Sequence, residues 1–200
     1  MIELPRGTRG LVFDCDGTLV DSMPLHTRSW DQCLVPHGVR LPEGFIDTHA
    51  GKPTDVIIDL INREHGVDID AREFLEEKEG RFRERIAEVG PIEPVVATAE
   101  HYREKMPMSV VSGGVLANVA ACLKAINAFD WFEPILTADD PIAPKPSPDL
   151  FLAAAEGMGV PPSECHAFED ADAGLDAARA AGMTVTDVRT LAADCTTSRR

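Results

Sequence analysis

Phe13-Asp14-Cys15-Asp16-Gly17-Thr18-Leu19-Val20-Asp21-Ser22, directly after the apolar pair Leu11-Val12, is the stretch on which the fold turns. The apolar run predicts a short buried strand. Asp14 and Asp16 then place two carboxylates on one tight turn at its end. Gly17 and Thr18 follow, where the backbone can come close to a bound anion. Two short acids at i and i+2 can share a hard cation, or one can attack while the other moves a proton. A calcium loop is excluded: it needs glycine at its sixth position and glutamate at its twelfth, and counting from Asp14 those are Leu19 and Leu25. A turn rich in Asp and Gly without any chemistry is the plain alternative.

Five apolar runs read as strands: Leu11–Asp14, Met108–Ser112, Pro134–Thr137, Cys165–Glu169 and Met183–Val188. They are continuous rather than alternating, as strands covered on both faces are. Helical patterns lie between the later ones. Val115–Ala128 is rich in Ala and Leu. Ser147-Pro148-Asp149 offers an N-cap, a first-turn proline and an acid for a helix to about Glu156. Ala171–Ala181 is nearly all Ala, Leu, Asp and Arg, with Gly182 placed to end it. Alternating strands and helices predict a doubly wound parallel α/β sheet, Rossmann-like in form. From Met23 to Ile92 there are only helical patterns, Asp55–Glu64 and Ala71–Val89 among them. About 70 residues exceed what one crossover needs. The expected organisation is therefore an α/β core of residues 1–22 and 93–200 with an inserted helical cap, 23–92. The tail Cys195–Arg200 is expected to fray.

The 44% apolar content supplies a core, and the five cysteines are scattered without a Cys-x-x-Cys pair. No apolar run of roughly 18 residues exists to span a membrane. With no secretory signal read at the N-terminus, reduced thiols in the cytoplasm are expected. Cys15 lies inside the acidic turn with no base read beside it, so a packed thiol is expected there. The net charge of −15 argues against nucleic acid as a partner. The same charge means that an anionic ligand would need local help from a metal and a lysine. A monomer is the default.

Ligands of open α/β sheets bind beyond the carboxyl ends of the strands. Four polar clusters are expected there. Asp14 and Asp16 are the first. Ser112-Gly113-Gly114 opens a helix and can seat a phosphate on backbone amides and a hydroxyl, or merely cap the helix. Lys145, ahead of Pro146-Ser147-Pro148, can neutralise phosphate charge, or be an ordinary surface lysine. Glu169-Asp170-Ala171-Asp172-Ala173-Gly174 ends a buried strand in acids suited to a cation or a cap.

In this order, and over the whole chain, the four clusters resemble the motifs of the haloacid dehalogenase superfamily. The run Glu169–Met183 is similar to the β-phosphoglucomutase-like branch, and within it to small phosphatases of sugar phosphates such as fructose-1-phosphate. His26 and Trp30 also fit that branch. The resemblance implies Asp14 as nucleophile and Asp16 as proton donor and acceptor. It implies Mg²⁺ held by Asp14, the Asp16 carbonyl and Asp170, with Glu169 near. Ser112, the Gly113 amide and Lys145 would hold the transferring oxygens beside Gly17 and Thr18. In the mutases of the branch an arginine in the cap loop grips a second phosphate. This chain has Thr54 about there, with Lys52 or Lys78 as partial replacements, which tilts the reading from mutase to phosphatase. Gly51-Lys52-Pro53-Thr54 lacks the upstream glycines of a nucleotide-binding loop. Asp16 argues against dehalogenation, since the dehalogenases lack that acid. The expected partner is a small phosphorylated metabolite. The rivals are a β-phosphoglucomutase-type enzyme and a non-catalytic binding or sensor domain.

Overall fold

A computed structural model describes residues 2–49 and 54–191. Lys52, proposed for substrate binding, and the tail from Cys195 lie outside the described residues. Five parallel strands form one sheet: β1 (Gly10–Phe13), β2 (Met108–Val111), β3 (Ile135–Leu136), β4 (Cys165–Glu169) and β5 (Thr184–Asp187). Their order in space is β3-β2-β1-β4-β5. β1, the first strand in the sequence, is therefore central, with Phe13 paired to Val110 on one side and Phe168 on the other.

The side-chain alternation of β1 sorts two hydrophobic cores onto the two faces of the sheet. Leu11 and Phe13 join a cluster with Val95, Ala99, Val119 and Leu123. These come from helices α5 (Glu93–Tyr102) and α6 (Leu116–Ala125). Val12 points the other way, into a cluster with Leu150, Phe151, Ala177 and Ala178. Those belong to α7 (Asp149–Met158) and α8 (Asp172–Ala180). β1, β2 and β4 read as unbroken apolar runs because helices cover both faces; the edge strands β3 and β5, expected to be covered likewise, are only part-buried, with Thr184 exposed. The first turn of α7 sits one residue later than the sequence reading: Pro148 is at the N-cap and the Ser147 Oγ donates to Asp149 Oδ2 at 2.8 Å.

Among the described residues, four α-helices run between β1 and α5: α1 (Met23–Leu34), α2 (Phe45–Thr48), α3 (Thr54–His65) and α4 (Ala71–Glu84). Asp70 caps α4 by accepting the N–H groups of Arg72 and Glu73, both at 2.9 Å. Trp30, Leu34, Ile58, Ile61 and Phe74 form a third cluster built wholly from this segment. Leu25 and Phe82, at the two ends of the segment nearest the sheet, pack instead into the Phe13 cluster. The four-helix segment thus has its own core and two anchors in the sheet's core. Among the described residues, no helix is long and apolar enough to cross a membrane.

Candidate active site

The turn after β1 and the end of β4 meet because the strands are neighbours in register. Phe13 and Phe168 stack with ring centroids 4.8 Å apart and 4° between planes. The next residues, Asp14 and Glu169, are therefore delivered side by side. Both are buried, at 5% and 1% exposure. Lys145, from the loop before α7, bridges them: its Nζ donates to Asp14 Oδ1 and to Glu169 Oε2, each at 2.7 Å. The other Glu169 oxygen, Oε1, accepts the N–H groups of Asp170 and Ala171 at 3.2 and 3.1 Å. Glu169 thus orients the lysine and closes its own turn.

Two glycines make this possible. Gly17 has φ +79°, and a Cβ there would overlap the Asp170 carboxylate. The Asp170 Oδ1 accepts instead from the Thr18 hydroxyl at 3.1 Å. Gly174, in the first turn of α8, leaves the room that the Glu169 carboxylate fills, and a Cβ there would overlap it.

Charge is unevenly matched. Burial, then the Glu169 charge, pushes Asp14 well above the usual carboxylate range, with Lys145 opposing. Burial and Glu169 likewise push Asp170 up to about 6. Burial works against a charged Lys145, yet Asp14 and Glu169 outweigh it and hold the ammonium above its ordinary range. Three carboxylates face one ammonium. Asp14, Glu169 and Asp170 offer oxygen atoms that lie within 4.8 Å of one another. Asp14 Oδ2 is buried with no hydrogen-bond partner. A buried carboxylate oxygen left unpaired is costly, and a cation relieves it. The residues present therefore fit a hard divalent ion: oxygen donors, excess negative charge and an unsatisfied lone pair.

Asp16 faces the four-helix segment. Its Oδ1 accepts from the Ser22 hydroxyl at 2.5 Å and contacts His26 Nε2 at 3.2 Å. His26 is itself stacked on Phe82, with centroids 4.2 Å apart. Burial would raise the Asp16 proton affinity, but His26, Ser22 and the Lys78 charge outweigh it, so the carboxyl is held below its ordinary range. Lys78 is buried, pairs with Glu79 at 2.5 Å and stands 6.0 Å from the centre of the Trp30 ring. Ser112 closes the remaining side; its Oγ accepts the Gly114 N–H at 3.0 Å, next to Asp16. Gly113 is exposed above it.

The structure thus brings Asp14, Asp16, Thr18, Ser112, Lys145, Glu169 and Asp170 together at the carboxyl ends of β1, β2 and β4, with His26 and Lys78 on the Asp16 side. Ser22 is a partner that the sequence reading passed over, although it closes the quoted motif. Asn118 is another. It accepts from Arg83 at 2.9 Å and donates to Glu79, which ties α4 to α6. Nothing in its local sequence announces that role.

A parallel α/β sheet that sets a buried carboxylate beside a lysine at its carboxyl edge, with further acids close by, is suited to phosphoryl transfer. Residues 8–182 match the family model for haloacid dehalogenase-like hydrolases, and the chain belongs to that family. It is 36% identical over 183 residues to the fructose-1-phosphate phosphatase YqaB of Escherichia coli K12, covering 91% of this chain and 97% of that one. It is 32% identical over 180 residues to the hexitol phosphatase A of the same organism, covering 88% and 81%. Among solved structures, CbbY of Rhodobacter sphaeroides in complex with phosphate superposes with a TM-score of 0.77 at 25% identity, over 89% of this chain and 84% of that one.

Proposed function

We propose that the protein is a Mg²⁺-dependent phosphatase of small sugar phosphates that works through a phosphorylated Asp14. The observation that carries this reading is the buried Asp14 carboxylate, with one oxygen on Lys145 and the other unpartnered beside Asp170. The names of the relatives, a fructose-1-phosphate phosphatase and a hexitol phosphatase, support the substrate class. Asp14, Asp170 and the Asp16 carbonyl would hold the Mg²⁺. Bound there, the ion screens the negative charges of carboxylate and phosphate from each other.

Asp14 attacks phosphorus, and the bond from phosphorus to the sugar oxygen breaks. Lys145, the Ser112 hydroxyl and the Gly113 amide take the charge of the transferring oxygens. Asp16 gives its proton to the departing sugar oxygen. Water then attacks the phosphorylated Asp14, and Asp16 takes the proton back. The approach of a phosphate dianion raises the proton affinity of Asp16, which supplies the acid form. Glu169 keeps Lys145 in place and charged. Helices α1 to α4, taken as a cap, choose the sugar and limit water, through a cleft of about 360 Å³ in which Met23 and Thr48 face Asp170–Ala173.

The test is phosphate release over a panel of ketose, aldose and polyol phosphates. Activity should vanish with EDTA and return with Mg²⁺. Asp14→Asn should fall to background while its circular dichroism is unchanged. A fully active Asp14→Asn, or activity indifferent to EDTA, would overturn the reading. Coupled detection of glucose-6-phosphate from β-glucose-1-phosphate separates a mutase from a phosphatase.

A further inference from the structure

Cys15 stands between Asp14 and Asp16, and its thiol plays no part in the chemistry above. It meets a second thiol. Cys122, on α6, is 1% exposed and Cys15 is fully buried. The Cys15 and Cys122 sulfurs and a carboxylate oxygen of Asp16 all lie within 4.8 Å of one another. We propose that Cys15, Cys122 and Asp16 form a second cation site, for a thiophilic divalent metal of the zinc class, separate from the oxygen cluster around Asp14.

Two features favour that ligand. The first is donor chemistry. Two sulfurs and one carboxylate suit a borderline-soft ion and poorly suit Mg²⁺. A tetrahedral ion with metal–sulfur bonds of about 2.3 Å sets its sulfurs roughly 3.8 Å apart, so contraction by at most about 1 Å completes the site. The second is support. Metal-binding carboxylates are themselves held by outer hydrogen bonds, and Asp16 has two, from Ser22 and His26. The thiols are sealed, but the Asp16 side chain is 22% exposed and gives the ion its way in.

An ion held there occupies Asp16. On the reading of Asp16 as the proton carrier, such an ion inhibits the enzyme reversibly, and Mg²⁺, held through the Asp16 carbonyl and not its side chain, does not displace it. Co²⁺ is the direct probe, because sulfur ligation produces a thiolate-to-cobalt charge-transfer band that oxygen ligation does not. Titrating the metal-free protein with Co²⁺ should produce that band, and Cys122→Ser should abolish it. Zn²⁺ should inhibit sugar-phosphate hydrolysis at saturating Mg²⁺. In Cys122→Ser, with its zinc-free activity unchanged, the inhibiting Zn²⁺ concentration should rise by at least about tenfold, the smaller loss that even an outer-shell partner causes. Absence of the band from the unsubstituted protein overturns the proposal, and that spectrum stands without any variant. Zinc inhibition that Mg²⁺ relieves, or that Cys122→Ser leaves unchanged, overturns it as well. A cobalt–sulfur band in a protein inactive on every sugar phosphate would keep the metal site and remove the phosphatase reading.

Discussion

Gly17 and Gly174 are each fixed by a carboxylate, Asp170 in one case and Glu169 in the other. The second gives a sharp prediction. In Gly174→Ala the methyl enters the space of the Glu169 carboxylate, which is buried and has little room to yield. Glu169 must turn, and Lys145 loses one of its two anchors. Displacements of about 1 Å in catalytic groups can cost roughly 10²-fold in rate. Gly174→Ala should therefore lower kcat by one to two orders of magnitude while α8 stays folded, since Ala favours a helix. Unchanged kcat would show that Glu169 does not position Lys145. At this scale the sequence was informative about identity and poor about partners. Asp14, Asp16 and Asp170 stood out because they end apolar runs read as strands; Lys145 was singled out by the family resemblance, since a lysine in a proline-rich loop is otherwise unremarkable. The bridge from Lys145 to Glu169 was not legible, because it joins residues 24 apart through a loop whose path the local pattern does not set. Ser22 and Asn118 were missed for the same reason: a hydroxyl or an amide carries no pattern until its partner is known.

Strands β4 and β5 show the same distinction between element and contact. Both were readable as strands with ends placed to within a residue or so, but only β4 is buried; β5 lies at the sheet edge, part-buried with Thr184 exposed. What locks them together was not readable. His166 on β4 is buried and holds Thr184 through Nδ1 at 2.7 Å and Thr186 through Nε2 at 2.8 Å, both on β5. Burial pulls its proton affinity down to about 4. The folded protein therefore binds a proton at His166 less readily than the unfolded chain, whose imidazole titrates near 6.5. The sign follows: the neutral-imidazole contribution is complete above about pH 6.5 and is lost as the pH falls from there towards 4. Its size is on the order of 3 kcal/mol. Urea unfolding should show His166→Gln less stable than the parent at pH 7.5, with the gap narrowing by pH 4.5. A gap that widens in acid would refute the sign. The four-helix segment was likewise legible as helices, through the apolar spacing of Asp55–Glu64 and Ala71–Val89, whereas the Asp70 cap of α4 was not read. Which of its polar side chains face the site was not, because all four helices carry charged residues and only packing sorts them.

At the scale of the whole molecule, charge sets a conflict. The chain carries a net −15, and its proposed substrates are dianions. The far field repels them, whereas the near field of Lys145 and Lys78, with Mg²⁺ bound, attracts them. The two act over different distances, and salt separates them. At about 10 mM ionic strength the screening length is roughly 30 Å, so the full acidic surface is felt; at about 150 mM it is roughly 8 Å, and mainly the site remains. Added NaCl should therefore raise kcat/KM severalfold for a sugar phosphate at constant, saturating Mg²⁺, through faster association, and leave kcat nearly unchanged. A fall in kcat/KM over the same range would mean that the cations around the site steer the substrate from afar despite the overall charge. Because Lys78 lies 6.0 Å from the Trp30 ring and is buried beside Glu79, Lys78→Met should leave this salt response in place. It removes a near charge, not the far field, so its cost should appear in KM at every salt concentration.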